Sequence, residues 1–140
     1  ERIRDLTRNA LSAVPHARGM NNHMGSRVTE DRRAVGAVLR EASVYGFYFV
    51  DSMTSPRSVG FDLAQEMGMA CGRNLLYLDT VETVEGVERA LERLVAEARR
   101  RGTAIGIGHA KSVTLEVLKR ELPKLEQAGI RFVAAADAVR

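Results

Sequence analysis

Two histidines and two aspartates, His23, His109, Asp51 and Asp79, each follow a short apolar run of the sequence, and Asn21, Asn22 and Ser52 flank them. Two imidazoles and a carboxylate are a sensible ligand set for Zn²⁺ or a similar divalent ion with one position left for water. Such an ion activates the water and polarises the carbonyl it attacks. His23, His109 and Asp51 are the candidate ligands. Asp51 could bind the metal or orient a histidine. Each also has a plainer reading: His23 as a ring bonded to a sheet edge, His109 as a strand-end cap, and Asp51 as a cap or turn carboxylate accepting amides of the following loop. Asp79 admits the same pair of readings. Arg57 is placed either to clamp a substrate oxyanion or carboxylate, or to stand as an exposed loop charge. Ser26, Ser52 and Ser55 lack the GxSxG surroundings of a nucleophile elbow, and GIGHA lacks the spacing of a phosphate loop or a dinucleotide fingerprint. His16 reads as an ordinary surface or strand residue.

The elements needed to position these groups alternate. ALSAVPHARG is a weak strand candidate, and after the polar segment MNNHMGSRVT comes a helix capped by Thr29, with Val35, Val38, Leu39 and Ala42 at three- and four-residue steps. YGFYFVDS reads as a buried strand. A second short helix, capped by Ser55 or Ser58, ends at Gly68. LLYLD is the next strand, and VEGVERALERLVAEARRRG is the clearest helix, its inner face formed by Val84, Val87, Leu91, Leu94, Val95 and Ala98 and its end marked by Gly102. TAIGIGH is a strand. A helix starting near Thr114 should bend or divide at Pro123, and IRFVAAAD is the last strand. Continuous apolar strands between helices predict an α/β chain with mostly parallel strands and outer helices. In such folds sites form beyond the carboxyl ends of strands, where Asn21, Asn22, His23, Asp51, Ser52, Asp79, His109 and Asp137 fall.

The composition excludes several function classes. Of 140 residues 45% are apolar and 28% charged, with Gly 12 and Pro 3, which rules out a collagen-like or strongly disordered chain and suits a single domain. The net charge of +3 comes from basic residues mixed with acids along the chain. The cluster Arg99, Arg100 and Arg101 complements a helix dipole, so no nucleic-acid partner is expected. Cys71 is the single cysteine, which leaves no internal disulfide and no cysteine zinc cluster. No apolar run approaches the roughly 20 residues of a transmembrane helix.

The blocks NNHMGSRVTED, YFVDSMTSPRSVG, LYLDT and AIGIGHAKSVTLEVL resemble the divergent polysaccharide deacetylase family, a branch of the NodB-like carbohydrate esterases. The resemblance covers nearly the whole chain. It implies an incomplete, distorted β/α barrel, a divalent metal such as zinc, and removal of N-acetyl groups from a polysaccharide or amino-sugar glycan at a periplasmic or otherwise extracytoplasmic location. His23 resembles the metal-binding histidine region, although NNHMGS differs from the double-histidine motif of other members. Asp79 resembles the aspartate that supports the catalytic histidine, and His109 resembles that histidine, with Ala110 where proline is usual. Asp51 lies where other members carry an arginine-containing motif. Asn21, Asn22, Ser52 and Arg57 are the substrate-binding candidates. Family members begin the barrel with a strand ending in an Asp-Asp pair, and nothing here matches it, since Asp5 lies in a charged, helical opening. The chain is therefore expected to be the C-terminal two-thirds of one such domain, occupying residues 1–140, lacking its first strands and inactive alone. The alternative is a non-catalytic glycan-binding or cell-envelope structural domain. An open sheet edge would also permit self-association.

Overall fold

The computed structural model describes residues 1–140 and divides into two compact units, Glu1–Arg73 with Val139–Arg140, and Asn74–Ala138. Every strand pairing is parallel and helices flank the strands, as the apolar runs predict. The sheets are short, with three and two strands, and no closed barrel is formed. No helix is long and apolar enough to cross a membrane.

In the first unit, α1 (Arg2–Ser12) precedes β1 (Gly19–Asn21), α2 (Ser26–Thr29), α3 (Arg32–Val44), β2 (Tyr48–Asp51), α4 (Gly60–Glu66) and β3 (Cys71–Arg73). The strands lie in the order β1-β2-β3, with Met20 opposite Phe49 and Phe49 opposite Cys71. Val35, Leu39 and Ala42 of α3 and Ala64 of α4 bury against Phe49 and Cys71, with Met69 completing the core. The apolar periodicity of α3 is thus the sequence's inward stripe. Its cap differs from expectation. Asp31 accepts the Arg33 and Ala34 amides, whereas the Thr29 hydroxyl turns back to the Ser26 carbonyl. A carboxylate two and three residues ahead of those amides is the better-placed acceptor.

The expected strand at residues 10–19 is largely helix and turn. α1 runs to Ser12, the amides of Val14 and Ala17 close successive turns onto Leu11 and Val14, and pairing starts only at Gly19. Conversely, β3 carries no strand signal of its own. Gly72 and Arg73 are weak strand formers, and the position beside β2 supplies the hydrogen bonds that make them one.

The second unit contains β4 (Leu76–Tyr77), α5 (Val84–Arg101), β5 (Gly106–Ile107), α6 (Ser112–Gln127) and α7 (Ala135–Ala138). Leu76 pairs with Gly106 and Tyr77 with Ile107. Val87 and Leu91 of α5 and Val117 of α6 bury with Leu78. This is a second hydrophobic cluster, where composition suggested one core, because each βαβ segment covers its own short sheet. Thr83 caps α5 through the Gly86 amide, and Gly102 ends it at φ 83°. Pro123 lies inside α6 without dividing it. Pro123 and Lys119, whose carbonyl loses its helical partner, both lie on the exposed face, where an unmatched carbonyl costs little. Residues 130–134 form no strand; Phe132 and Val133 are exposed, and the alanines that follow turn into α7.

Candidate functional site

Each unit carries one polar cluster at the carboxyl ends of its strands. In the first, the loops after β1 and β2 are stitched together by side chains. Asn21 Nδ2 donates to Ser52 Oγ at 2.9 Å, and Asn22 Oδ1 accepts the Ser52 amide at 2.9 Å. Asn22 Nδ2 reaches the Met24 carbonyl at 3.2 Å and Thr54 Oγ1 at 3.3 Å. Met24 and Met53, with φ of 57° and 53°, hold left-handed conformations that side chains disfavour. These bonds keep them there, so the two loop tips are fixed where an unconstrained chain would relax.

Asp51 ends β2 and is completely buried. Its Oδ1 accepts the Met53 amide at 2.8 Å, and its Oδ2 accepts Ser58 Oγ at 2.7 Å and the Phe61 amide at 2.9 Å. This is the turn-carboxylate arrangement, with the loop between β2 and α4 gathered around one side chain. Ser58 is not the N-cap of α4, which is Val59, although Ser58 Oγ also accepts the Gly60 amide at 3.4 Å. Ser55 donates to Glu30 Oε1 at 2.6 Å, and Arg57 Nη2 to Glu30 Oε2 at 2.8 Å. Those two bonds, Ser55 first, hold the Glu30 carboxyl below its ordinary range. Arg57 is 79% exposed, so this ion pair is solvated and weak. His23 is exposed on the loop after β1, as His16 is farther upstream.

In the second unit, Asp79 follows β4 and His109 follows β5. The Asp79 side chain is 1% exposed and that of His109 46%. His109 Nδ1 lies 2.9 Å from Asp79 Oδ1, while Asp79 Oδ2 accepts the His109 amide at 2.7 Å and Thr114 Oγ1 at 3.0 Å. Burial is the largest influence on the Asp79 carboxyl and pushes its pKa up. The bonds from the His109 ring, the His109 amide and Thr114 together outweigh it, leaving the pKa below the usual carboxylate range. A charged Asp79 makes Nδ1 the protonated ring nitrogen and leaves Nε2 as the exchangeable proton site. Tyr77 lies nearly parallel to the His109 ring, 8° between planes and 6.1 Å between centroids.

The sequence thus brings Asp79 to His109, and Asn21 and Asn22 to Ser52. It leaves His23 and Arg57 as exposed loop side chains. Thr54, Ser58, Glu30, Tyr77 and Thr114 were not marked as site residues by type or spacing. Only Thr114 carried a signal, as the helix-opening threonine five residues after His109. No group of three or more His, Cys, Asp or Glu side chains is arranged to hold a metal ion. The expected set of His23, Asp51 and His109 is therefore not a ready-made metal centre within this chain, and Asp51 has both oxygens engaged by its own loop.

The chain is 32% identical over 120 residues to the uncharacterized protein YibQ of Escherichia coli, covering 86% of this chain and 38% of that protein. It is 32% identical over 125 residues to an uncharacterized protein of Haemophilus influenzae, covering 89% of this chain and 45% of that protein. Its fold is similar to the crystal structure of an uncharacterized protein from Agrobacterium tumefaciens, with a TM-score of 0.83 and 26% identity over 86% of this chain and 49% of that one. The chain spans less than half the length of each of these relatives. Residues 1–139 match the divergent polysaccharide deacetylase family model. With the parallel strands, the strand-end aspartate and its histidine already in place, the match over nearly the full length shows that this chain belongs to the divergent polysaccharide deacetylase family.

Proposed function

We propose that the protein hydrolyses N-acetyl groups of a cell-envelope or other amino-sugar glycan outside the cytoplasm, with Asp79 and His109 supplying the proton-handling half of the reaction. The observation that supports this is the buried Asp79 carboxylate bonded at 2.9 Å to the half-exposed ring of His109. Hydrolysis of an acetamide adds water to the carbonyl carbon and breaks the C–N bond, and the departing amine must take a proton. His109 gives it that proton from Nε2, and Asp79 fixes the ring and stabilises its cationic form. Asn21, Asn22 and Ser52 shape the loop floor of the first unit, and Arg57 serves as an exposed donor for a sugar oxygen or carboxylate. Asp51 organises the loop that carries Ser52.

The family resemblance implies a divalent metal, zinc in the simplest case, to which this chain would contribute His23, since His109 has Nδ1 on Asp79 and uses Nε2 for the proton. Since no three donors converge here, no step is assigned to the metal, and a ligand set would need carboxylates from elsewhere in the protein. That same observation favours a second reading, a glycan-binding or cell-envelope structural domain without turnover.

The test is acetate release from N-acetylated glycan oligosaccharides by the full-length protein supplied with zinc. His109→Ala and Asp79→Asn are expected to lower kcat by about 10²-fold or more. Full rate in His109→Ala would remove the proposed role, and glycan binding without acetate release would establish the second reading.

A further inference from the structure

Asp79 is tied down from two elements. Its Oδ1 meets the His109 ring and its Oδ2 the His109 amide, but both of these donors belong to one residue on one loop. They would move together with that loop and cannot by themselves define where the ring points. Thr114, in the first turn of α6 and 1% exposed, supplies an independent anchor through Oγ1 on Oδ2 at 3.0 Å. The Thr114 side chain packs where Gly108 carries no side chain. A Cβ added to Gly108 would stand 3.0 Å from Thr114 Cγ2 and 3.4 Å from Leu78 Cδ1, so the residue before His109 leaves room for little beyond a hydrogen atom. Gly108 thereby lets α6 approach the β5 loop closely enough for Thr114 to reach the carboxylate.

We infer that Thr114 is a positioning residue which, acting through Asp79, fixes the tautomer and direction of the His109 ring. Its hydroxyl donates to Oδ2 and keeps the carboxylate plane turned so that Oδ1 faces Nδ1–H. The aligned ring then presents Nε2 to whatever the site binds. Without that hydroxyl Oδ2 keeps only the His109 amide, so the carboxylate gains freedom about its soft terminal torsion and its hold on Nδ1 loosens. The consequence for turnover rests on the deacetylase reading above, whereas the consequence for the ring does not.

The experiment pairs Thr114→Val, which keeps the shape and removes the hydroxyl, with Thr114→Ser, which keeps the hydroxyl, and with Thr114→Ala. In the full-length protein, ¹⁵N NMR of the neutral imidazole is expected to show His109 as the Nδ1–H tautomer in the wild type and in Thr114→Ser, with a clear rise of the Nε2–H form in Thr114→Val. Acetate release should fall about tenfold in kcat at unchanged KM in Thr114→Val and recover to within about twofold in Thr114→Ser. Wild-type tautomer and kcat in Thr114→Val would overturn the inference while leaving the deacetylase reading intact. A tautomer shift in a protein that releases no acetate would sustain the inference and remove that reading. Should Thr114→Val not fold, the Ser and Ala variants decide: a ring population in Thr114→Ser that matches Thr114→Ala would show that packing, and not the hydroxyl, matters.

Discussion

Gly60 leaves no room for a methyl group against Asp51: an added Cβ would stand 2.7 Å from Asp51 Oδ2 and 3.0 Å from the Phe49 ring. Helix propensity alone would make Gly60→Ala favourable by about 1 kcal/mol, because Gly60 opens α4. The clash reverses the sign. Asp51 is fully buried and holds three donors, so it cannot withdraw without leaving the Met53 or Phe61 amide unmatched. Gly60→Ala is expected to destabilise by about 1–3 kcal/mol in urea unfolding. A stabilised variant would show that the Asp51 loop is slack.

The Met24 side chain is 70% exposed while its backbone is held at φ 57°. Little burial is lost by removing it, and glycine adopts that conformation without the steric cost. Met24→Gly should therefore raise stability by about 0.5–1 kcal/mol, after the greater chain entropy of glycine is subtracted. A lower urea midpoint would mean that the side chain packs better than its exposure implies.

Asn22→Ala removes the acceptor of the Ser52 amide and the donor to the Met24 carbonyl. The expected loss is about 1–3 kcal/mol, with faster hydrogen exchange concentrated at Ser52. Unchanged exchange at Ser52 would show that the loops after β1 and β2 do not depend on this bridge.

For Asp79 the pH dependence has a definite sign. Its folded pKa is depressed, so the stabilisation is fully present above the ordinary aspartate value of about 3.9 and is lost as pH falls through the lower folded value. The stability gap between wild type and Asp79→Asn should narrow below about pH 4, as the carboxylate takes up its proton. Urea unfolding as a function of pH measures it. A gap that stayed the same or widened below about pH 4 would contradict the charged carboxylate.

Arg57 is exposed, and its bond to Glu30 is on the surface. Arg57→Ala should leave the unfolding midpoint unchanged and, if Arg57 holds substrate, raise KM for an acidic glycan with little change in kcat. A large loss of stability would assign Arg57 to the fold.

Equimolar zinc should not raise the Tm of the 140-residue chain, since no three donors converge. A rise of several degrees abolished by His109→Ala would show a metal centre that includes this histidine.

The long amphipathic helices were legible because their patterns are local. Leu91 and Val87 on α5, and Leu39 and Val35 on α3, repeat at helical spacing and are buried as that spacing requires. Strand-end chemistry was legible for the same reason: Asp51, Asp79 and His109 each follow a β-branched or aliphatic run. The failures fall where pairing, not propensity, decides. Cys71–Arg73 is a strand because β2 lies beside it, and Phe132 and Val133 are not one because nothing pairs with them.

The residues and their order by themselves determined the alternation of strands and helices, the family, and the short list of groups able to do chemistry. Tertiary structure alone decided which oxygen meets which donor. Asp51 and Asp79 are alike in sequence, each an aspartate at the end of an apolar run. One accepts the Ser58 hydroxyl and loop amides, and the other accepts His109 and Thr114, from 30 and 35 residues away. Hydrogen bonds act over about 3 Å, and contacts that distant in sequence are set by how helices pack on strands, which no local pattern encodes.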